Sequence, residues 1–135
     1  MTKTAFISGH LDLTESEFAE RYKPLIDQAI EDECDFVVGD ARGADAMAQR
    51  YLHAYFKMPP YRVTVYHMFT SPRNNWGDHA TKGGYESNNA KDRAMTEASD
   101  FDILWVRPSK HSSESGRVSG TEKNQIRRKA MERQK

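Results

Sequence analysis

Cysteine is nearly absent: Cys34 is the only one in 135 residues. One thiol closes no intrachain disulfide and supplies no Cys-rich zinc site. That suits a reducing compartment, and the cytoplasm is the expected location. Long apolar runs are missing as well. None approaches the ~20 residues of a membrane span, and MTKTAFISGH holds no stretch long enough for a secretory h-region. A soluble protein with no membrane partner is expected. The histidines lack ligand spacing; His67, His79 and His111 are scattered, so no metal site is expected. There is no G-x-S-x-G, no P-loop and no G-x-G-x-x-G. Those absences exclude a hydrolase elbow, a Walker-type phosphate loop and a dinucleotide fingerprint, and no cofactor is expected. Apolar residues are also few, at 37%, against 30% charged. The 10% aromatic content nevertheless argues for a folded chain, and the length suits one domain spanning 1–135.

The net charge of zero hides an uneven distribution. Residues 1–50 carry 5 basic and 11 acidic side chains, whereas residues 107–135 carry 9 basic and 3 acidic ones. The simpler reading is that the two ends pair, within one fold or across the two-fold axis of a homodimer. A basic C-terminal helix that binds nucleic acid is the sharper but less favoured reading.

Short apolar runs alternate with amphipathic segments. Thr4 to Ile7 reads as a buried strand ending at Ser8-Gly9. Thr14 and Glu17 form a capping box ahead of a helix, which Pro24 should kink or break. Phe36 to Val38 is a second strand, stopped by Gly39. Ala44, Met47, Ala48, Tyr51, Leu52 and Tyr55 mark a helix. Arg62 to Tyr66 is a third strand, rich in β-branched residues. Residues 68–85 are polar and read as a long loop. Ala90, Ala94, Met95 and Ala98 mark another helix, Phe101 to Val106 a fourth strand, and residues from about 122 onward a basic helix. This alternation predicts an α/β, Rossmann-like three-layer fold. Its mainly parallel sheet would have four to five strands in order 3-2-1-4. The order reverses between strands 1 and 4, and ligands bind beyond the carboxyl ends of strands at such a switch point.

Three loops meet there. Gly39-Asp40-Ala41-Arg42-Gly43-Ala44-Asp45 joins a strand to a helix. Its glycines allow a close backbone approach, the helix start favours an anion, and Arg42 can grip a phosphate in bidentate fashion. Asp40 and Asp45 oppose that, unless they bind sugar hydroxyls or cap the helix. An ordinary capped turn explains the loop equally well. Ser8-Gly9-His10 follows strand 1, and His10 can stack on a base, donate a hydrogen bond or carry a proton. Ser119-Gly120-Thr121 offers a hydroxyl and helix amides. In residues 68–85, Trp76, His79 and Tyr85 can wall a base, or Trp76 can pin the loop to the core. Lys91-Asp92-Arg93 reads most simply as a solvated helix face.

Taken together, these motifs resemble the SLOG superfamily. That group includes YspA/YpsA-related proteins, DprA-like domains, nucleoside deoxyribosyltransferases and lonely-guy phosphoribohydrolases. The resemblance rests on Asp40-Ala41-Arg42-Gly43-Ala44-Asp45 after strand 2, on Gly83-Gly84 before Lys91-Asp92-Arg93-Ala94-Met95, on Ser99-Asp100, and on Gly120-Thr121. It covers most of the chain in order, and only the Ala-Arg-Gly-Ala-Asp stretch is specific. It implies a nucleotide-derived ligand, a nucleoside phosphate or an ADP-ribose type, held by Ser8, Gly9, His10, Gly39, Asp40, Arg42, Gly43, Ala44, Asp45, Arg93, Ser119, Gly120, Thr121 and Asn124. Glycosidic members carry a carboxylate in Gly-Thr-x-x-Glu. Here Asn124 stands at that position, and Glu122 falls about 200° away around the helix.

A binding or sensor protein is therefore the expected function. An N-glycoside hydrolase or transferase is the alternative, with Asp40, Glu86 and Glu122 as candidate acids, and a nucleic-acid module is the third reading.

Overall fold

A computed structural model describes residues 2–56, 62–77, 79–108 and 120–133. Its sheet has five strands: β1 (Thr4–Ile7), β2 (Asp35–Val38), β3 (Val63–Met68), β4 (Ala80–Tyr85) and β5 (Phe101–Ile103). Every pairing is parallel, and the order is β4-β3-β2-β1-β5. The four strands expected from the sequence thus lie in the expected 3-2-1-4 order, with β4 added at one edge.

The helices are α1 (Glu15–Arg21), α2 (Lys23–Glu31), α3 (Ala44–Phe56), α4 (Asn88–Glu97) and α5 (Gly120–Arg133). The capping box starts α1: Thr14 Oγ1 accepts from the Glu17 amide at 3.1 Å, and Glu17 Oε1 accepts from the Thr14 amide at 3.0 Å. Pro24 ends the first helical run and sits in the opening turn of α2, where its missing N–H costs nothing.

Strand alternation sorts the core into two layers. Ala5, Ile7, Phe36, Val38, Val63 and Val65 pack on one face against Phe18, Tyr22, Ile26, Ala48 and Leu52 of α1–α3. Phe6, Val37 and Tyr66 point the other way and meet Met95 of α4. This second layer is thin, and the polar α5 helps to cover it. Arg128 there is buried, donating to Ser99 O at 3.1 Å, Ser99 Oγ at 2.6 Å and Asp102 Oδ1 at 3.0 Å.

Two strand assignments change. Residues 68–85 are not all loop, because Ala80–Tyr85 forms edge strand β4. Ala-Thr-Lys-Gly-Gly-Tyr carries no apolar alternation, since five of its six residues are exposed. Backbone pairing to β3 makes it a strand. Gly83 is needed there because a Cβ would collide with the buried His67 ring. The last strand stops at Ile103 instead of Val106.

Tyr22 ties the switch point together. It is fully buried, its hydroxyl donates to Ser8 O at 2.8 Å, and the same oxygen accepts from the Trp105 amide at 3.1 Å. Burial pushes this phenol up to about 12. Tyr22→Phe should cost about 1–3 kcal/mol in urea unfolding, because the Trp105 N–H and the Ser8 carbonyl lose a partner. An unchanged midpoint would show that the hydroxyl contributes nothing.

Candidate functional site

A cleft of about 410 Å³ opens at the carboxyl ends of β1 and β2. That is the small end of the range for small-molecule sites, roughly 300–1,000 Å³. Loops after β1 and β2, one face of α4 and the first turn of α5 enclose it.

Of the residues expected at the site, Ser8, Gly9, His10, Gly39, Asp45, Gly120, Thr121 and Asn124 all border this cleft. Ser8 follows Phe6 by two positions, so its side chain faces the α4–α5 side of the sheet. It is buried, and its hydroxyl has no hydrogen-bond partner among the described residues. Thr121 and Asn124 are buried on α5. Asn124 Oδ1 accepts from Arg127 Nη1 at 2.7 Å, which leaves its amide N–H groups as donors. The Arg107 amide donates to His10 Nε2 at 2.8 Å, so the neutral ring carries its proton on Nδ1. Burial, and then Arg107, hold this histidine below its usual range. Arg107 itself grips Glu17 at 2.7 and 3.0 Å and Asp12 at 2.9 Å. Those bonds hold Glu17 at about 2.

Other expected residues lie elsewhere. Ala44 is in the core, and its amide donates to His10 O at 3.2 Å. Gly43 packs its backbone on the carbonyls of His10 and Leu11. Arg42, Glu86 and Arg93 are exposed and do not border the cleft. Glu122 does not border it either, since Thr121 and Asn124 take up the inward face of the helix. Ser119 lies outside the described residues. The aromatic wall does not form: His79 is buried, Tyr85 stacks on Tyr66 at 5.9 Å, and Trp76 sits under Arg50.

The 39–45 loop is built differently from a phosphate cradle. Asp45 folds back under it, and its Oδ2 accepts from the Ala41 amide at 3.2 Å. A Cβ on Gly39 would stand 2.6 Å from that oxygen, so glycine is required by a carboxylate and not by a ligand. Asp40 turns inward and is 1% exposed. Its Oδ2 accepts from the Arg73 amide at 2.8 Å; its Oδ1 accepts from Arg73 Nη2 at 2.8 Å and Lys91 Nζ at 3.4 Å. Burial opposes ionisation of Asp40, but the Arg73 bonds and the Lys91 charge outweigh it and hold the carboxyl below its usual range.

Arg73, Lys91 and Asp92 border the cleft without having been expected there. Lys91 is buried, not a solvated helix-face residue. Gln49 fixes the loop that carries Arg73: it donates to Gly39 O at 2.9 Å and Asn74 O at 3.3 Å, and accepts from the Trp76 amide at 2.7 Å. Helical spacing from Met95 could have found Lys91 and Asp92, four and three positions earlier on the same face. Nothing local marks Arg73.

Burial raises Asp45 to about 7, against the opposing charge of Lys91, and it raises Asp92 as well. No group of three His, Cys, Asp or Glu among the described residues can hold a metal, and no described helix is long and apolar enough to cross a membrane. The fold and cleft define a Rossmann-like α/β protein whose switch-point cleft is bordered by charged residues of both signs. No family model, curated protein or solved structure matches the chain.

Asp40→Asn should cost about 3 kcal/mol, the low end for breaking a buried ion pair, because water screens the half-exposed Arg73. The depressed Asp40 value makes its contribution full at neutral pH and lost on acidification below the usual carboxylate range. Wild type and variant should therefore converge in denaturant titrations as pH falls below the usual carboxylate range; a constant gap would refute the ion-pair account.

Asp45 carries the opposite sign. Its folded carboxyl holds a proton that the unfolded chain has released, so its contribution favours folding at low pH and fades as pH rises from 3.8 through about 7. Asp45→Asn should raise Tm by several degrees at pH 8, by less at pH 5, and leave it unchanged near pH 3, below the ordinary carboxylate value. A variant that melts lower at pH 8 would show the carboxylate to be stabilising there.

Proposed function

We propose that this protein binds a nucleotide-derived ligand, a nucleoside phosphate, in the cleft at the switch point, as a sensor or binding protein. The observation that carries the reading is the Ser8 hydroxyl: buried, unpartnered among the described residues, and bordering the same cleft as the first turn of α5. An unsatisfied buried hydroxyl costs about 1–3 kcal/mol, and a ligand acceptor removes that cost. The amides that open a 14-residue helix favour an anion, so a phosphate belongs between Ser8, Gly120 and Thr121. Asn124 and the Nδ1–H of His10 add neutral donors. The carboxyls of Asp45 and Asp92 accept from sugar hydroxyls. The resemblance to SLOG proteins points the same way.

A second reading, N-glycoside hydrolysis, draws on one observation: two carboxyls with raised values, Asp45 and Asp92, border the cleft. They differ from the acids expected in the sequence, and a proton carrier near pH 7 suits general-acid work. The partner expectations draw less support. Arg107 is spent on Asp12 and Glu17, Arg127 on Asn89 and Asn124, and Arg128 on Ser99 and Asp102. Of the three only Arg107 meets the acidic first third, while Arg127 and Arg128 bond to residues between 89 and 124; all three are engaged within one chain, which leaves less charge for a homodimer or for nucleic acid.

Native mass spectrometry of freshly purified protein should reveal a retained nucleotide, and calorimetry should find micromolar binding of a nucleoside monophosphate. Ser8→Ala should weaken that binding roughly tenfold. Equal affinity in the variant would remove the phosphate from this position. Steady base release from monophosphates, lost in Asp45→Asn and falling above pH 7, would make the hydrolase reading the primary one.

A further inference from the structure

The cations that border the cleft are not the one the motif suggests. Arg42 is exposed and outside it, whereas Arg73 and Lys91 both line it. A single oxygen holds the pair, since Asp40 Oδ1 accepts from Arg73 Nη2 at 2.8 Å and from Lys91 Nζ at 3.4 Å. Lys91 is buried, and the Arg73 side chain is half exposed. A guanidinium has five N–H donors. Among the described residues, Arg73 gives only Nη2 to the protein, so Nε and Nη1 remain for an acceptor in the cleft. The backbone of Arg73 is fixed as well, through its amide on Asp40 Oδ2 and the Gln49 bonds that hold Asn74 and Trp76.

This anion position is separate from the one at Ser8 and Thr121. Ser8 ends β1, and α5 packs on β5, the neighbour of β1. Arg73 is pinned to Asp40, two residues past the end of β2. The two positions thus stand beyond neighbouring strands, which lie about 4.8 Å apart, and are built from different elements. Asp45 and Asp92 border the cleft with them, raised by burial; these carboxyls accept from sugar hydroxyls or hold a proton beside an anion.

We propose that the ligand of this cleft carries two separate anionic groups on one nucleoside, as in a nucleoside 3′,5′-bisphosphate, with Ser8 and the start of α5 at one group and Arg73 with Lys91 at the other. The proposal rests on the nucleotide reading above and narrows it. A diphosphate holds both phosphates on one bridging oxygen, so its second charge stays beside the first on the same side of the sugar. A monophosphate fills one position and leaves the other to water.

Calorimetry at fixed salt and pH, with adenosine 5′-monophosphate, adenosine 5′-diphosphate and adenosine 3′,5′-bisphosphate, tests this. The bisphosphate should bind at least about tenfold tighter than the monophosphate, the gain expected of one added charge-assisted contact. The diphosphate should gain little. Arg73→Gln should remove the bisphosphate's advantage, leaving it with the affinity that the same variant shows for the monophosphate. Arg73→Lys keeps the charge without the fork and should fall between, which guards against a folding defect in the first variant. Arg42→Ala should change none of the three. Equal binding of monophosphate and bisphosphate, a preference for the diphosphate, or a bisphosphate preference that survives Arg73→Gln would overturn the proposal while leaving the nucleotide reading in place. Failure of all three ligands, repeated with the guanosine, cytidine and uridine series, would overturn both.

Discussion

One buried carboxylate organises the working end of this protein. Asp40 sits at the end of β2, shielded from water, and holds three donors from two distant segments: the amide and guanidinium of Arg73 and the ammonium of Lys91. A lone buried charge is costly, so it persists only with its partners in place. That constraint fixes where the loop after β3 runs and which face of α4 turns toward the sheet. Gln49 reinforces it from α3, joining the Gly39, Asn74 and Trp76 backbones. The result is a wall of the cleft made from residues far apart in sequence yet held by a few short hydrogen bonds.

The same arrangement divides labour among the acids. Asp40 is kept ionised by its cations and serves as a structural anion. Asp45, five residues later, has only the Ala41 amide and the more distant charge of Lys91, and burial lifts it to about 7. Two aspartates in one loop therefore behave oppositely, one a fixed charge and the other a proton holder facing the cleft. On the opposite side the Ser8 hydroxyl and the first turn of α5 provide donors without charge. A cleft bordered by uncharged donors, two cations and two carboxyls suits an anionic molecule that carries a sugar, which is the basis of the functional proposal.

Much of the architecture was legible in the sequence, because the signals were periodic or positional. The β-branched run at 62–66, the capping box at Thr14 and the proline at 24 each act locally, and the alternation of elements leaves few topologies. The edge strand β4 was not legible, since its residues are exposed and its identity comes from backbone bonds to β3. Within the cleft, the small and hydroxyl residues that end β1 and begin α5 were found by their place at the switch point. The charged ones were misjudged for a physical reason: whether a charged side chain faces water or the interior depends on partners elsewhere in the chain. Asp40 and Arg42 are neighbours in the most distinctive motif, yet one is buried by Arg73 and Lys91 while the other is solvated. Neither partner lies within thirty residues of Asp40 and no spacing rule connects them.

The most direct test of the account is a backbone-amide NMR titration with adenosine 5′-monophosphate at neutral pH. The account predicts saturable shifts at Ser8, Gly9, Gly120, Thr121 and Asn124, with little change at Arg42 and Arg93. Shifts confined to Arg42 and its flanking loop would contradict it. So would shifts gathered around the groove between β5 and α5, at Phe101, Arg128 and Glu132; either result would move the binding site off the cleft that Asp40 organises.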